Sequence, residues 1–181
     1  MGKPPKPLPS FGLCSEYLKY DPNSGLIIRK IDAGNGKYKK GDIAGGPHGK
    51  PGEQYWRVWV NGQEIRGNRL AWLLYYKEDP GTSYVVDHIN GNRLDNSIKN
   101  LRLATIAENN KNRTIGANNT SGFKGVYMTR LDNKPYCARI NVDGVDKYLG
   151  AFETKEEAAS AYEKASIEYH GEFKRVEDLA R

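Results

Sequence analysis

The chain has 181 residues, which is enough for one large domain or two small ones. Hydrophobic residues make up 38% of it and the mean hydropathy is -0.76, which is polar for a globular chain, although 12 Tyr, 3 Trp and 4 Phe can supply small cores. No apolar run approaches the roughly 20 residues of a membrane span, so no membrane partner is expected. Cys14 and Cys137 form no CxxC pair, which argues against a zinc ribbon or a disulfide framework and fits a reducing cytosol.

The charge is uneven along the chain. The net charge is +6, with 18 Lys/Arg against 11 Asp/Glu in residues 1–120 and 10 against 11 in residues 121–181. A basic excess of this kind favours a polyanionic partner, met by the first part of the chain and by one face of the second. The alternative is a basic surface that only keeps the chain in solution.

The first third of the chain predicts a flexible arm followed by short strands. Residues 1–12 form a Pro/Lys-rich basic arm, in which four prolines oppose a helix interior. Residues 13–20 fit either a helical turn or a strand. Residues 21–25 (DPNSG) predict a turn that leads into a strand at 26–29, and the Gly/Lys-rich stretch 34–52 predicts a loop.

A β-hairpin and a short helix come next. The alternating run 55–60, the two-residue turn Asn61-Gly62 and the return at 63–66 predict the hairpin. The run 68–77 (NRLAWLLYYK) predicts the helix.

Three side chains of the predicted helix have expected roles. Asn68 is the expected N-cap. Arg69 and Trp72 are candidates to face the polyanion. Packing in the core is the plainer interpretation of Trp72.

A cluster of Asp, His and Asn side chains follows the β-branched run Tyr84–Val86. His88 has the imidazole that suits a general base for water near neutral pH. A hard divalent cation, which prefers oxygen ligands and retains waters, would stabilise charge on a phosphodiester. Asp87 offers a carboxylate and Asn109 a carboxamide. Asn100, twelve residues after His88, is placed to orient the imidazole.

The same residues also allow a plainer interpretation. Asparagines and glycine between positions 90 and 96 are ordinary turn residues. The asparagines from 109 to 112 fit the fraying end of a helix. Residue types alone leave both interpretations open.

The runs DHINGNRLDN (87–96), NLR (100–102) and ENNKN (108–112) resemble the HNH endonuclease motif, most closely that of the phage and intron-encoded homing branch. That family folds the motif as a ββα-metal module around one divalent ion, here expected to be Mg²⁺ or Mn²⁺. By motif position, the resemblance implies that His88 is the general base and that Asn100 orients it. It also implies that Asp87 and Asn109 are the metal ligands.

The third motif position is Asn109 rather than the His that the family name indicates, a substitution found in this branch. It argues against a zinc-dependent variant and leaves Asn110 and Asn112 as alternative ligands. The resemblance implies double-stranded DNA as substrate and products with 5′-phosphate and 3′-hydroxyl ends. Phosphate contacts are expected from four basic residues around the motif: Lys99, Arg102, Lys111 and Arg113.

Residues 122–177 predict a second unit of three antiparallel strands and one helix. The strands are expected at 123–129, 136–142 and 147–152. Thr154 and Glu157 form a capping box, and Gly171 ends the helix. Strand alternation places polar side chains on a shared face that is either a DNA-reading surface or a solvated one: Lys124, Arg130, Lys134, Tyr136, Arg139, Asn141, Lys147 and Tyr148.

Four blocks of this unit, FKGVY (123–127), YCARI (136–140), YLGAF (148–152) and EEAASAY (156–162), resemble the plant ethylene-response-factor (APETALA-type, AP-two) DNA-binding domain. That family reads DNA with its three-stranded sheet, which implies DNA contacts by Lys124, Tyr136, Arg139, Asn141 and Tyr148. The plant domains usually carry Arg or Trp at 127, 136 and 148 and an acidic residue at 139, so the plant base specificity is not expected here.

The sequence therefore predicts an α+β chain: a flexible arm (1–12), a ββα-metal HNH nuclease domain (13–113, motif 84–113), a linker (114–121) and the sheet-and-helix unit (122–177). The expected function is that of a homing-type HNH endonuclease acting on double-stranded DNA as a monomer, in the cytoplasm of a bacterial host if it is phage-encoded. A non-catalytic DNA-binding regulator that retains the HNH fold is the main alternative, and an RNA-binding or structural role ranks below it.

Overall fold

The computed structural model describes residues 6–111 and 119–171, apart from the side chains of Ala107, Asn110 and Lys111. The fold is α+β, as predicted, with several small antiparallel sheets and few helices. The chain divides into two compact units, Met1–Ile106 and Ala107–Arg181.

The first unit contains three small antiparallel sheets, ordered β1-β2, β3-β4-β5 and β6-β7. Its elements are α1 (Phe11–Tyr17), β1 (Leu18–Tyr20), β2 (Ile27–Arg29), β3 (Gly46–His48), β4 (Tyr55–Val60), β5 (Gln63–Arg66), α2 (Gly67–Tyr76), β6 (Val85–His88), a 3₁₀ turn (Ile98–Asn100) and β7 (Leu101–Ala104). The main core joins α1, α2 and the first two sheets through buried side chains such as Ile27, Val58 and Leu70.

The start of the chain is held in place over its described part. The backbone N–H of Leu8 donates to a carboxylate oxygen of Asp79 at 3.0 Å, and Gln63 donates to the carbonyl of Pro7 at 2.9 Å. Leu8 also packs against the main core. Residues 7 and 8 of the predicted flexible arm therefore have fixed partners, and residues 1–5 lie outside the described part.

The segment 13–20 contains both of the structures that its sequence allowed. Ser10 caps α1 by accepting a hydrogen bond from the backbone N–H of Leu13, and the chain then enters β1 directly. The predicted turn at 21–25 joins β1 to β2, which pair in an antiparallel register. Asp21 stabilises this turn by accepting hydrogen bonds from Asn23 and Ser24.

The predicted hairpin is confirmed as β4 and β5, with Asn61 and Gly62 at φ values of 47° and 76°. Positive φ at both central residues is the geometry that a two-residue hairpin turn requires. β3 is a third strand that the sequence did not predict. Pro47 lies in it and lacks an N–H donor, which is tolerated because β3 is an edge strand.

The helix α2 is confirmed, but the predicted cap is wrong. The helix begins at Gly67, after an extended Arg66 that makes no side-chain cap bond. Asn68 is buried inside the helix, and its amide donates to the carbonyl of Val86 at 2.6 Å. A partner on another strand therefore outcompetes the local cap, and the bond joins α2 to β6.

Arg69 does not face solvent, so its predicted contact with DNA is wrong. It is only 8% exposed, and its guanidinium donates to Asp79 at 2.9 Å. Trp72 packs against the small buried cluster formed by Ala71, Val86 and Leu101, which was its plainer interpretation.

The second unit is one three-stranded antiparallel sheet, ordered β10-β9-β8, with one helix packed on it. Its described elements are β8 (Val126–Met128), β9 (Tyr136–Val142), β10 (Val145–Phe152) and α4 (Lys155–His170). Thr154 and Glu157 form the predicted capping box, and Gly171 follows the last residue of the helix. The helix α3 (Ile106–Lys111) lies at the division between the two units.

Small residues let α4 lie close to its sheet. Ala158 packs on Ala138 and Val126, and all three are at most 1% exposed. Gly125 has φ 70°, and a Cβ there would lie 2.1 Å from the ring of Tyr162. The sheet and helix can therefore approach at this point only because residue 125 is glycine.

The predicted linker falls partly outside the described residues, which resume at Asn119. Residues 172–177 of the predicted second unit lie outside them as well. Among the described residues, no helix is both long enough and apolar enough to cross a membrane.

Candidate active site

Asp87 and His88 end strand β6, which pairs with β7 so that His88 lies opposite Leu101. Both side chains are buried, at 8% and 4% exposure. The preceding Val86 packs with Leu101 of β7 against Ala71 of α2. The carbonyl of Val86 accepts the hydrogen bond from Asn68. Apolar packing on one side and a helix-to-strand bond on the other therefore fix the end of the strand at which the two functional side chains lie.

Asn100 closes the loop between β6 and β7. Its side-chain oxygen accepts from the N–H of Asn90 at 3.0 Å, and its side-chain amide donates to the carbonyl of Asp95 at 2.8 Å. Its own carbonyl accepts from the N–H of Ile89 at 2.9 Å. The predicted hydrogen bond from Asn100 to His88 is therefore wrong, because the carboxamide is used to hold the loop backbone.

The residue that contacts the imidazole is Asn96. Its side-chain oxygen lies 3.1 Å from Nε2 of His88, and Asn96 is only 2% exposed. Because a carboxamide oxygen can only accept, this contact assigns a proton to Nε2 and leaves the lone pair of a neutral imidazole on Nδ1. From the sequence, Asn96 is an ordinary turn residue, and no local signal distinguishes it from its neighbours.

Three elements hold Asn96 in place. Tyr20 of β1 donates its hydroxyl to the carbonyl of Asn96 at 2.7 Å. Gly25, at φ 75°, approaches so closely that a Cβ would lie 2.4 Å from the backbone nitrogen of Ser97. Gly67, at the start of α2, leaves room for the Asn96 side chain, since a Cβ there would lie 2.9 Å from its amide nitrogen. The position of Asn96 is thus set by Gly67 of α2 and by Tyr20 and Gly25, which lie at the two ends of the β1–β2 turn.

Burial lowers the pKa of His88 below its ordinary value, although the Asn96 contact and the Asp87 and Asp95 carboxylates act in the opposite direction. The imidazole is therefore neutral at neutral pH, which is the form that can accept a proton. For Asp95, burial acts to raise the pKa, but hydrogen bonds from Ser97 and Asn90 outweigh it, and the pKa is lowered. The loop between β6 and β7 thus keeps the charged Asp95 carboxylate near the neutral His88 imidazole.

Asp87 is paired with Arg102, which lies directly opposite it on β7. Nε and Nη2 of Arg102 both donate to Oδ2 of Asp87, at 3.1 and 3.0 Å. The two side chains are 12% and 8% exposed, so the ion pair is largely removed from solvent. Arg102 was predicted to contact a DNA phosphate, and in this structure its partner is Asp87 instead.

The donor set suits a hard cation that keeps part of its water shell. Among the described residues, no three His, Cys, Asp or Glu side chains form a metal-binding group. One carboxylate with one carboxamide is a ligand set that Mg²⁺ or Mn²⁺ accepts. Asp87 supplies the carboxylate, and Asn109 lies half-buried on α3. The pairing of Asn109 with Asp87 stays a prediction.

The other predicted phosphate contacts around the site have different outcomes. Lys99 is exposed on the 3₁₀ turn Ile98–Asn100 and is accessible to a ligand. The side chain of Lys111 and the whole of Arg113 lie outside the described residues.

The two faces of the second sheet carry different side chains. Arg139 and Asn141 are exposed, and they line a groove together with other sheet residues, the carboxylates Asp143 and Asp146, and Tyr162 and His170 of α4. The guanidinium of Arg139 lies 5.9 Å from the ring of Tyr148, which is directly opposite it on β10 and 60% exposed. Asn141 donates to Asp146 at 2.7 Å. Arg130 is exposed on the loop between β8 and β9.

Two of the predicted members of this shared face lie on the other side. Tyr136 packs with the helix-side core, and the ammonium of Lys147 lies 4.1 Å from the ring of Tyr169 on α4. Strand alternation explains both corrections. Tyr136 lies on the face opposite to that of its neighbour Cys137, and Lys147 lies on the same face as its buried partner Ile140. Neither side chain shares the open face with Arg139.

Comparisons with known proteins cover the segment that contains this site. The family described as HNH endonuclease matches residues 68–111, which include α2, β6, β7 and α3. An uncharacterised HNH endonuclease of Acanthamoeba polyphaga mimivirus is 35% identical over 106 residues, which are 59% of this chain and 54% of that protein. The chain thus spans about half the length of the mimivirus relative.

A second relative is covered more fully. Protein 3.8 of Escherichia phage T7 is 33% identical over 92 residues, which are 51% of this chain and 74% of that protein. No solved structure matches the chain. The segment that the HNH family matches begins at Asn68, whose amide holds β6, and it includes Asp87, His88 and Asn96. The chain therefore belongs to the HNH endonuclease family.

Proposed function

We propose that the chain is a metal-dependent HNH DNA endonuclease of the homing type, which hydrolyses a phosphodiester bond of double-stranded DNA to 5′-phosphate and 3′-hydroxyl ends. The observation that carries this proposal is the buried His88 imidazole, bonded to Asn96 through Nε2 and next to the Asp87 carboxylate. It lies in the segment that matches the HNH family.

In this proposal, His88 is the general base. Nδ1 accepts a proton from water, and Asn96 holds the imidazole in the tautomer and orientation that this transfer needs. Burial keeps the imidazole neutral before the reaction. Asn100 contributes indirectly, since its hydrogen bonds hold the loop that carries Asn96.

Asp87 and Asn109 would hold one Mg²⁺ or Mn²⁺ ion. The ion would supply positive charge to stabilise the phosphate oxygens and the leaving 3′ oxygen. In the metal-free site, Arg102 holds the Asp87 carboxylate through two hydrogen bonds. Once the ion takes its place at Asp87, the Arg102 guanidinium would contact a phosphate of the substrate.

The second unit would bind DNA through the open face of its sheet. Arg139, Tyr148 and Lys124 offer donors and an aromatic surface, and a β-sheet can enter the major groove. The likeness of residues 121–177 to the AP-two domain supports this role. The chain would act as a monomer and, if it is phage-encoded, in the cytoplasm of a bacterial host.

One observation favours a second candidate, a DNA-binding regulator that retains the HNH fold without cutting. The Asp87 carboxylate is already paired with Arg102, and a guanidinium there opposes a divalent cation. If Asp87 never exchanged Arg102 for a cation, the site would not hold a metal.

Nicking of supercoiled plasmid in Mg²⁺ and in Mn²⁺ decides between the two candidates. Wild type is expected to produce nicked circles, and His88→Ala is expected to lose at least about 100-fold in rate. His48→Ala is the matched control, because His48 is an exposed histidine of the same unit. Wild-type protein that binds the plasmid tightly but leaves it uncut with every divalent metal would establish the regulator.

The role of the second unit has its own test. Arg139→Gln is expected to weaken duplex binding while leaving the nicking rate at saturating DNA unchanged. Lys147→Gln removes the same charge from the helix side of the same sheet and is expected to leave binding unchanged. Equal weakening by both variants would show that the open face has no special role.

A further inference from the structure

Two arginines of the first unit share one aromatic ring. The guanidinium of Arg66 lies 4.5 Å from the ring centroid of Tyr55, and that of Arg93 lies 4.8 Å from the same centroid. Two positive charges held on one ring repel each other, and the attraction of each for the ring offsets this only in part. The arrangement therefore concentrates positive charge around one ring, which favours an anion there.

No carboxylate of the described residues supplies that anion. Within the described part of the chain, neither guanidinium makes a hydrogen bond or an ion pair, and the only ring contact of each is with Tyr55. The acidic residue nearest in the sheet register is Glu64, and it is paired with Arg57. Arg66 is exposed and Arg93 is half-buried, so both can reach a ligand from solvent.

This cluster lies where the hairpin sheet meets the active-site loop. Tyr55 lies on the face of β4 opposite the core, because Trp56 and Val58 share the other face, where Val58 is fully buried and Trp56 packs against the core. Arg66 ends β5 immediately before Gly67, which adjoins the Asn96 side chain. Arg93 belongs to the loop that carries Asn96, and its charge is felt by His88. The cluster is thus adjacent to the candidate general base.

We infer that Arg66, Arg93 and Tyr55 form a phosphate clamp that binds the backbone of the DNA duplex beside the bond to be cut. A guanidinium presents a rigid fork of donors that matches phosphate oxygens, and stacking on an aromatic ring fixes the plane of that fork. The clamp positions the strand, and no base is read by it. The inference rests on the proposed function, since it assigns the clamp to the DNA substrate of the same site.

The salt dependence of DNA binding tests the clamp. Each phosphate contact contributes about 0.9 to the negative slope of log binding constant against log salt concentration. Arg66→Gln and Arg93→Gln are each expected to reduce the slope by about 0.9, and the double variant by about 1.8. The measurement uses the full chain in a His88→Ala background, with Mg²⁺ and a mixed-sequence duplex, so that binding is followed without cleavage.

The matched control is the paired variant Arg57→Gln with Glu64→Gln. It removes an arginine from the same face of the same hairpin, but it also removes the carboxylate that neutralises it. Its slope is expected to equal that of wild type. Thermal unfolding of every variant identifies any slope that changes because the unit has unfolded.

The outcomes separate this inference from the proposed function. A wild-type chain that nicks plasmid while the Arg66 and Arg93 variants keep the wild-type slope overturns the clamp alone. A reduced slope in the two variants supports the clamp even if wild type leaves DNA uncut, in which case only the proposed cleavage fails. A slope that falls equally in the paired control variant also overturns the clamp.

Discussion

The guanidinium of Arg102 donates two hydrogen bonds to one oxygen of Asp87, from Nε at 3.1 Å and from Nη2 at 3.0 Å. The β6–β7 register places the two residues directly opposite each other, and both side chains are largely buried. Removing one partner of a buried ion pair leaves an uncompensated charge in a poorly solvated place. The pair therefore stabilises the site in the absence of metal and competes with any cation that binds Asp87.

Arg102→Gln is expected to destabilise the metal-free protein by about 3 kcal/mol, because the Asp87 carboxylate stays buried without its charged partner. Mn²⁺ is expected to raise the melting temperature of this variant more than that of wild type, since the ion no longer competes with Arg102. Thermal unfolding with and without Mn²⁺ measures both effects.

Arg69→Gln is the control for this prediction. It breaks another Arg–Asp pair of the same unit, with Asp79, away from the Asp87 carboxylate. It is expected to lower stability without changing the response to Mn²⁺. Equal Mn²⁺ responses in wild type and Arg102→Gln would show that Arg102 does not compete with the metal.

Asn96→Ala and Asn100→Ala are expected to have different effects. Asn96→Ala removes the partner of His88 Nε2 and is expected to lower kcat for nicking by roughly 10- to 100-fold with KM nearly unchanged. Asn100→Ala removes two hydrogen bonds to the loop backbone and is expected to lower the free energy of unfolding by about 1–3 kcal/mol. Nicking kinetics and urea unfolding separate the two. An Asn100→Ala variant of normal stability but low kcat, beside an active Asn96→Ala, would reverse the assignment.

Asp79 makes the first unit sensitive to acid. Burial acts to raise the pKa of its carboxyl, but hydrogen bonds from the N–H groups of Leu8 and Gly81 and the charge of Arg69 outweigh it, and the pKa is lowered. Because the folded pKa lies below the unfolded value of about 3.9, the stabilisation is fully present above that pH and is lost as the pH falls through the folded pKa.

Unfolding of wild type and Asp79→Asn at several pH values checks this expectation. The stability difference between them is expected to be largest near neutral pH and to shrink below about pH 3.9. A difference that stays constant into the acid range would show that the Asp79 charge contributes nothing.

Gly125→Ala is expected to destabilise the second unit strongly. A Cβ at this position would lie 2.1 Å from the ring of Tyr162, and φ is 70°. Overpacking adds about 1–3 kcal/mol to the cost of the left-handed backbone, which is about 1 kcal/mol. Gly144→Ala has φ 87° with no atom within 4 Å, so it is expected to show the backbone cost alone. Denaturant unfolding of the full chain compares the two, and equal losses would contradict the predicted clash.

The sequence determined the features that depend on neighbouring residues. The Asn61-Gly62 turn needs positive φ at two adjacent positions, and the Thr154–Glu157 capping box is closed within one helical turn. The Asp87-His88 pair follows a strand signal directly, and the family motif around it identified the segment that the comparisons match. Each of these signals is complete within a short stretch of chain.

Only the tertiary structure decided which side chain meets which partner. Asn68 and Asn100 were assigned local or motif-based roles, but each bonds backbone groups that the fold brings to it. Asn96 became the partner of His88 because β1, the turn after it and α2 fix its position. The sequence places asparagines near a histidine, but distance and direction between side chains depend on packing between elements far apart in the chain, and those contacts leave no local pattern to read.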